Sequence, residues 1–371
     1  MSELVVSSGQ IVALRLFDIA FAIDLVAAES LWTRHAGGRS ARSQLSSTPP
    51  KAVAFGVPPL AITLEPVRLD LPIGPVDVAV SARLFDFGAV SLAMSLPVSG
   101  RSWADYVGLL NALARAVGLG ASAALWGGPL ATVLRLLTPA LERPVVSAVQ
   151  EDYLLGVVHE FDAKPTAVDL LQRVDLVELL AGEQRALSEG ARADLLRQRF
   201  SYYTDDLVVL TWDRAFIYEP RGDSDVADVL EVANAQLLEM RYYDALLDDE
   251  LPRMYDLVAG TRRGMNVFAA RRYAGLARRL YTMVAEVTEL TERVDNALQV
   301  TEDVYLARIY AAALETFRMR TVAAGVDRKL AIIRDTYTAL YDEASSSRSE
   351  LLEIVIVLLI VVEVALAIVH P

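Results

Sequence analysis

The chain has 371 residues, enough for two domains, and a net charge of −13. It has no cysteine and only three histidines, so disulfides and thiol chemistry are excluded and a histidine-built metal site is not expected. The acidic balance argues against direct nucleic-acid binding, because phosphate recognition needs a basic surface.

Residues 1–222 are predicted to form a mixed α/β domain. Residues 11–22 have the composition of a strand. The stretch VDVAVSARLFDFGAVSLAMSL (76–96) indicates two strands that turn near Asp86–Gly88. The N-terminus lacks the basic region of a signal peptide, so we expect the bulk of the chain to lie in the cytoplasm.

The same domain is predicted to contain helices as well as strands. Apolar side chains recur at helical spacing over 102–117 and 122–137. Residues 153–162 are strand-like again. The stretch RFSYYTDDLVVLTWDRAFIYEP (199–220) predicts a hairpin whose turn lies near Thr211–Arg214.

Residues 223–346 change in character and predict a region of long helices. Two seams of residues spaced three and four apart follow each other along this region. They fit two helices paired as an antiparallel hairpin within one chain, and they also fit a coiled coil between chains. The first seam comprises Leu276, Leu280, Met283, Val287, Leu290, Val294 and Leu298, and the second comprises Val326, Leu330, Ile333, Tyr337, Leu340 and Ala344.

Residues 347–371 are predicted to contain a C-terminal transmembrane anchor. The aliphatic run 351–369 would span roughly 28 Å as a helix, which is about one hydrocarbon core. A helix buried in a soluble core is the alternative interpretation. The predicted anchor positions are Leu351, Ile354, Val362, Glu363 and Val369.

Glu363 lies well inside this run. An acid near the middle of a bilayer costs about 2.5–3.5 kcal/mol on insertion scales, so we expect it to be protonated or paired with a neighbouring helix. A second copy is the simplest neighbour, which predicts a homo-oligomer. Arg334 and Arg348 precede the run and no Lys or Arg follows it, so the positive-inside rule also places the N-terminal bulk in the cytoplasm. Arginine greatly outnumbers lysine, as is typical of GC-rich bacterial genomes, and the expected location is the bacterial inner membrane.

The sequence carries no clear catalytic constellation. The acidic cluster Asp248, Asp249 and Glu250, which adjoins Asp244, could hold Mg²⁺ through its carboxylates. The same residues also fit a charged helix end, with Pro252 opening the next helix. No catalytic, cofactor-binding or metal-binding residue is therefore assigned, and no cofactor is expected.

The stretch VDRKLAIIRDTYTALYDEASSSRSELLEIVIVLLIVVEVAL (326–366) resembles the end of the "required for meiotic nuclear division" family of bacteria and mitochondria. That family has a long helix, then a Leu-Glu pair, then an aliphatic span with an internal glutamate. The segments LLEMRYYDALLDDELPRMYD (237–256) and LFDFGAV (84–90) resemble two further parts of it. The matching positions are Asp86, Gly88, Arg241, Asp248, Leu330 and Glu353.

This resemblance implies a membrane-tethered protein that faces the cytoplasm or the mitochondrial matrix. Mitochondrial members are associated with organising translation at the inner membrane, and the family brings no catalytic residues. We therefore expect a tail-anchored, homo-oligomeric scaffold or adaptor for a macromolecular partner such as the translation machinery. The partner protein itself is not identified. The alternative is an enzyme with a carboxylate-bound metal that acts at the membrane surface.

Overall fold

A computed structural model gives the fold of the chain. The structure describes residues 4–36, 40–42, 58–118, 123–183, 185–222, 225–262 and 304–336, together with scattered helical positions at 275, 278, 281–282, 284–285, 287–288, 338–339, 356–357 and 359–360.

The dominant feature is one large mixed sheet. Its strands are joined in the order β10-β11-β12-β9-β1-β6-β5-β4-β3, with β7 paired to β1, while β2 and β8 form a separate pair. The strands are β1 (Val5–Asp18), β2 (Ala20–Ile23), β3 (Ser40–Arg42), β4 (Leu60–Leu71), β5 (Gly74–Leu84), β6 (Ala89–Val98), β7 (Arg101–Ser102), β8 (Leu141–Pro144), β9 (Gln150–Phe161), β10 (Arg199–Phe200), β11 (Leu207–Leu210) and β12 (Arg214–Tyr218).

The centre of the sheet is β1, which pairs antiparallel with β6 on one side and with β9 on the other. The pairing of β12 with β9 is parallel, and the other pairings described are antiparallel. The hairpin predicted over 199–220 is confirmed, because β11 and β12 pair across a turn at Thr211–Arg214.

The helices are α1 (Leu25–Ala36), α2 (Trp103–Val117), α3 (Ala123–Leu137), α4 (Ala167–Arg173), α5 (Leu176–Ala181), α6 (Glu189–Leu195), α7 (Val226–Arg262) and α8 (Val304–Thr316), with a short 3-10 helix at Thr138–Ala140. Residues 319–336 are also largely helical. The predicted helices over 102–117 and 122–137 are confirmed by α2 and α3. Helix α2 begins where Ser102 accepts a hydrogen bond from the Asp105 backbone, as N-caps commonly do.

The predicted turn near Asp86–Gly88 is also confirmed, and it joins β5 to β6. Gly88 has φ of +107°, a conformation that residues with a Cβ rarely adopt. A Cβ at this position would also overlap the backbone carbonyl of Ala20. Glycine is therefore required here both for its backbone conformation and for the close approach of a second strand.

The two faces of the sheet are covered by different helices. On β5, Val80, Ala82 and Leu84 belong to the hydrophobic core that also contains Leu110 of α2 and Val133 of α3. Because side chains alternate along a strand, residue 83 points to the opposite face. There its guanidinium meets α7, as the Nη2 atom of Arg83 lies 2.7 Å from Asp228.

The first half of α7 is buried around most of its circumference. Four of its polar residues are less than 8% exposed, namely Glu231, Asn234, Gln236 and Glu239. Arg83 Nη1 lies 2.8 Å from Glu231, and the Tyr310 hydroxyl of α8 donates to Gln236. Helices α7 and α8 thus cover the second face of the sheet with a core that contains paired polar groups, namely Arg83 with Glu231 and Tyr310 with Gln236.

The chain divides into two compact units. The first is Met1–Tyr242 with Arg293–Arg320, and it contains the large sheet. The second is Tyr243–Glu292 with Thr321–Pro371. The domain boundaries predicted after residues 222 and 346 stay a prediction.

The predicted C-terminal transmembrane helix is wrong. A span needs about twenty consecutive apolar helical residues, and no helix among the described residues is long and apolar enough to cross a membrane. Positions 356, 357, 359 and 360 are described as helical and are 53–61% exposed. The anchor positions lie outside the described residues, namely Leu351, Ile354, Val362, Glu363 and Val369.

The predicted long coiled-coil region needs the same correction, because no long coiled coil is found in the described part of the chain. Heptad spacing shows only that one side of a helix is apolar, and a globular core satisfies that side equally well. In the second seam, Val326 and Ile333 are buried and Leu330 is half-buried. In the first seam, Val287 is buried, while the other positions lie outside the described residues. The fold is α+β with a large mixed sheet.

Candidate functional site

Two adjacent tyrosines are exposed at the β10 edge of the sheet. Tyr202 is 65% exposed and Tyr203 is 45% exposed, and their ring centroids lie 4.8 Å apart in an edge-to-face arrangement. Their loop is held by Asp206, whose carboxylate accepts hydrogen bonds from the backbone N–H groups of Tyr202 at 2.7 Å and Tyr203 at 3.0 Å. The carboxylate fixes the backbone, so both rings are presented to solvent in a defined position.

Helix α8 adds a third tyrosine to this group. The ring centroid of Tyr305 lies 5.4 Å from that of Tyr202. One turn further along α8, the guanidinium of Arg308 lies 5.9 Å from the centre of the Phe200 ring. The α8 side chains therefore extend the aromatic group beyond the loop itself.

A second arginine reaches the group from the segment after β12. The guanidinium of Arg221 lies 4.1 Å from the centre of the Tyr203 ring, within cation–π range. We call these six residues the tyrosine–arginine surface: Phe200, Tyr202, Tyr203, Arg221, Tyr305 and Arg308.

The arginines of this surface keep hydrogen-bonding capacity. Arg221 and Arg308 are both exposed, and in the part of the chain that the structure describes neither is paired with a carboxylate. A planar guanidinium carries five N–H donors, so contact with a ring leaves donors for a carboxylate or phosphate. The surface thus combines apolar rings with two available cationic donors.

Other arginines of the same unit have internal partners. Arg214 Nη1 donates to Asn111 at 2.6 Å and to the Leu179 carbonyl at 2.8 Å. Its guanidinium also lies against Gly182, which has φ of +66° and where a Cβ would collide with it. Arg241 pairs with the buried Glu151. These arginines stabilise the fold, whereas Arg221 and Arg308 face solvent.

Two buried acids have perturbed pKa values. Burial raises the pKa of Asp18, which is 3% exposed, to about 7. Burial also raises the pKa of Glu151, although the neighbouring Arg241 opposes the shift. Neither carboxyl belongs to the tyrosine–arginine surface.

The positions on which the resemblance to the "required for meiotic nuclear division" family rests have local structural roles. Asp86 and Gly88 form the β5–β6 turn, where the Asp86 carbonyl accepts a hydrogen bond from the Ile23 backbone at 2.9 Å. Arg241 pairs with a strand residue, and Leu330 is half-buried in its helix. Glu353 lies outside the described residues.

The acidic cluster contains a lysine. Lys329 Nζ lies 2.6 Å from Asp244 Oδ1 and 2.6 Å from Asp248 Oδ1, where a metal bridging these carboxylates would sit. Among the described residues no group of three or more histidines and acids is placed to hold a metal ion. The cluster also lies inside α7, which continues through Pro252, so it is not a helix end. The Lys329 ammonium group therefore pairs with two of these carboxylates, Glu250 pairs with Arg253, and Asp249 is exposed beside them.

The tyrosine–arginine surface was not predicted from the sequence. The stretch FSYYTDD (200–206) was interpreted only as part of a hairpin, although two adjacent tyrosines in a polar loop were a usable signal. No local pattern could have added Tyr305 and Arg308. They lie about a hundred residues further along the chain, and only the fold brings them to the loop.

Comparison with known proteins identifies the family. The chain belongs to the family described as "Uncharacterized protein MJ0711, N-terminal domain", whose model matches residues 8–225. It is 26% identical over 218 residues to Uncharacterized protein MJ0711 of Methanocaldococcus jannaschii, an alignment that covers 58% of this chain and 66% of that relative. The alignment therefore spans slightly less than two thirds of the relative's length. No solved structure matches the chain.

Proposed function

We propose that this protein is an adaptor that binds another protein through the tyrosine–arginine surface. The observation that supports the proposal is the group of exposed rings, with Tyr202 65% exposed and its loop backbone held by Asp206. Tyrosine and arginine are enriched among the residues that carry most of the energy of protein interfaces. A loop that is already ordered loses little conformational entropy on binding, so its contacts are retained as affinity.

The proposal keeps the adaptor role expected from the sequence and omits the membrane tether. It also favours binding over metal-dependent catalysis. Two of the carboxylates that would have bound a metal are paired with Lys329, whose Nζ lies 2.6 Å from both Asp244 and Asp248. An ammonium group in that position repels a divalent cation.

A photo-crosslinking experiment tests the proposal. A photoreactive phenylalanine analogue replaces Tyr203 in one form of the full chain and Val168 in another, because Val168 is also exposed, at 63%, and lies on α4. Both forms are irradiated in the native cells, and crosslinked proteins are identified by mass spectrometry.

We expect at least one protein to be crosslinked from position 203 and not from position 168, and to bind the purified chain with a measurable dissociation constant. A Tyr202→Ala variant should weaken that binding by about tenfold or more. The proposal is contradicted if the two positions give the same set of crosslinked proteins.

A further inference from the structure

We infer that the tyrosine–arginine surface recognises an acidic and apolar protein segment, in which carboxylates alternate with hydrophobic side chains. The inference rests on the proposed function and adds the chemistry of the partner. It depends on three features of the surface: its local charge, its apolar rings and its position at the edge of the sheet.

The surface carries two available cations, although the chain as a whole is acidic. The protein has a net charge of −13, yet Arg221 and Arg308 lie on this surface without a carboxylate partner among the described residues. Electrostatic interactions are screened over about 8 Å at physiological ionic strength, so an approaching segment responds mainly to nearby groups. Much of the remaining surface repels an acidic segment, and this surface attracts one.

The rings supply the apolar half of the recognition. Tyr202 lies within 5.4 Å, between ring centroids, of both Tyr203 and Tyr305, so the three rings form one continuous group. Burial of apolar area against such rings contributes roughly 25 cal/mol per Å² before the costs of association. A segment with only charged side chains would leave this apolar area exposed to water.

Each arginine lies beside a different ring of the surface. The guanidinium of Arg221 lies 4.1 Å from the centre of the Tyr203 ring, and that of Arg308 lies 5.9 Å from the centre of the Phe200 ring. Guanidinium groups bind carboxylates through paired, charge-assisted hydrogen bonds, which are shorter and stronger than neutral ones. A segment that carries carboxylates beside apolar residues therefore matches a surface that carries guanidinium groups beside rings.

The edge position allows an extended segment to approach. Strand β10 ends the sheet and is only the two residues Arg199 and Phe200, and Arg199 is exposed. Its chain leads directly into the loop that carries Tyr202 and Tyr203. A bound segment can therefore lie along the loop without displacing a long paired strand.

Single-stranded nucleic acid is the competing ligand, because bases also stack on tyrosine and arginine. It is disfavoured because a nucleic-acid strand carries a phosphate at every nucleotide, so its charges would extend beyond the two arginines onto the surface of a strongly acidic chain. An acidic segment can instead end within the reach of the two arginines.

Fluorescence anisotropy on the full chain provides the test. The probe is a fluorescein-labelled peptide of alternating glutamate and leucine, compared with the same peptide carrying glutamine for every glutamate and with a labelled oligouridine. The protein is used as the parent, as Arg221→Gln/Arg308→Gln, and as Arg68→Gln/Arg135→Gln. The last variant removes the same charge from two exposed arginines, on β4 and α3, away from this surface.

We expect the glutamate peptide to bind the parent about tenfold more tightly than the glutamine peptide, and this preference to shrink as salt is added. The Arg221→Gln/Arg308→Gln form should lose about tenfold in affinity and the Arg68→Gln/Arg135→Gln form less than about twofold. Melting temperatures of both double variants should match the parent, which would show that neither has lost its fold.

The inference is overturned by equal binding of the two peptides, by tighter binding of oligouridine, or by equal losses in the two double variants. None of these outcomes would contradict a specific crosslink at position 203. A partner that crosslinks there and lacks acidic segments would retain the adaptor role and reject the acidic ligand.

Discussion

Arg241 of α7 reaches across to Glu151 of β9, with 2.5 Å between Nη1 and Oε1. Glu151 is 6% exposed, so its charge depends on this single guanidinium for much of its stabilisation. Arg241 also lies over the ring of Trp212, 5.2 Å from its centre. The pair therefore ties α7 to a central strand and to the turn between β11 and β12.

We expect Arg241→Leu to lower the free energy of unfolding by about 2 kcal/mol, because it leaves a buried carboxylate unpaired. The double variant Arg241→Leu/Glu151→Leu should recover most of this loss, since it removes the stranded charge as well. Urea unfolding followed by tryptophan fluorescence measures both. A double variant no more stable than Arg241→Leu would show that packing of the arginine stem, not charge, causes the effect.

Asp18 should make stability depend on pH. Its pKa is raised by burial from an ordinary value of 3.8 to about 7, so the folded state favours the protonated form. Stability from this group is fully present below the unfolded pKa and is lost as the pH rises through about 7. We expect Asp18→Asn to stabilise the protein by roughly 2–4 kcal/mol near pH 8 and to have little effect near pH 4.

Asp169 offers a control of opposite sign for that experiment. It is exposed, and its pKa is lowered by hydrogen bonds from the side chain and backbone of Thr166 in the capping box of α4. Asp169→Asn should therefore destabilise the protein at neutral pH and lose its effect in acid. An Asp18→Asn profile that runs parallel to the Asp169→Asn profile would contradict the burial of Asp18.

Substitution of two glycines separates the cost of backbone strain from the cost of steric overlap. Gly74 is the first residue of β5, and Gly88 lies in the turn that follows it. Gly74 and Gly88 have nearly equal φ, +105° and +107°, but a Cβ at Gly74 meets nothing within 4 Å, while one at Gly88 overlaps the Ala20 carbonyl. We expect Gly74→Ala to cost about 1–2 kcal/mol and Gly88→Ala to cost at least about 2 kcal/mol more. Thermal unfolding of both variants gives the difference, and equal losses would place Ala20 further away than described.

Lys329 should contribute to the stability of the second compact unit. It pairs with Asp244 and Asp248, which lie one turn apart on α7, so Lys329→Met leaves two like charges together. We expect a loss of about 1 kcal/mol, since the carboxylates are partly exposed, and partial recovery in Lys329→Met/Asp248→Asn. Added Mg²⁺ should raise the melting temperature of Lys329→Met more than that of the parent. A parent that responds equally to Mg²⁺ would revive the metal-site alternative.

Local patterns in the sequence were sufficient for two turns and for helices α2 and α3. The β5–β6 turn and the β11–β12 hairpin were predictable because glycine, polar residues and alternating apolar residues determine such turns at short range. The parallel pairing of β12 with β9 was not, because it joins strands more than fifty residues apart and depends on the whole sheet.

The features that the sequence predicted least well were which side chains are buried and what covers them. Glu231 and Glu239 suggest a solvated helix, yet both are buried in α7, where Glu231 is matched by Arg83. A charge is accepted in a core when its partner lies elsewhere in the chain, and one sequence does not reveal that partner. The heptad seams and the aliphatic C-terminal run led to the opposite error, since apolar spacing identifies a side to be buried without identifying what buries it.

The tyrosine–arginine surface is assembled from two separate stretches, 199–221 and 305–308. During synthesis the first stretch leaves the ribosome well before the second. A nascent or truncated chain that ends before Tyr305 presents Tyr202, Tyr203 and Arg221 without the ring and the cation from α8. The residues matched by the family model, 8–225, likewise do not include Tyr305 and Arg308. A partner that needs all six side chains would therefore bind chains that extend past Arg308 and would not bind shorter ones.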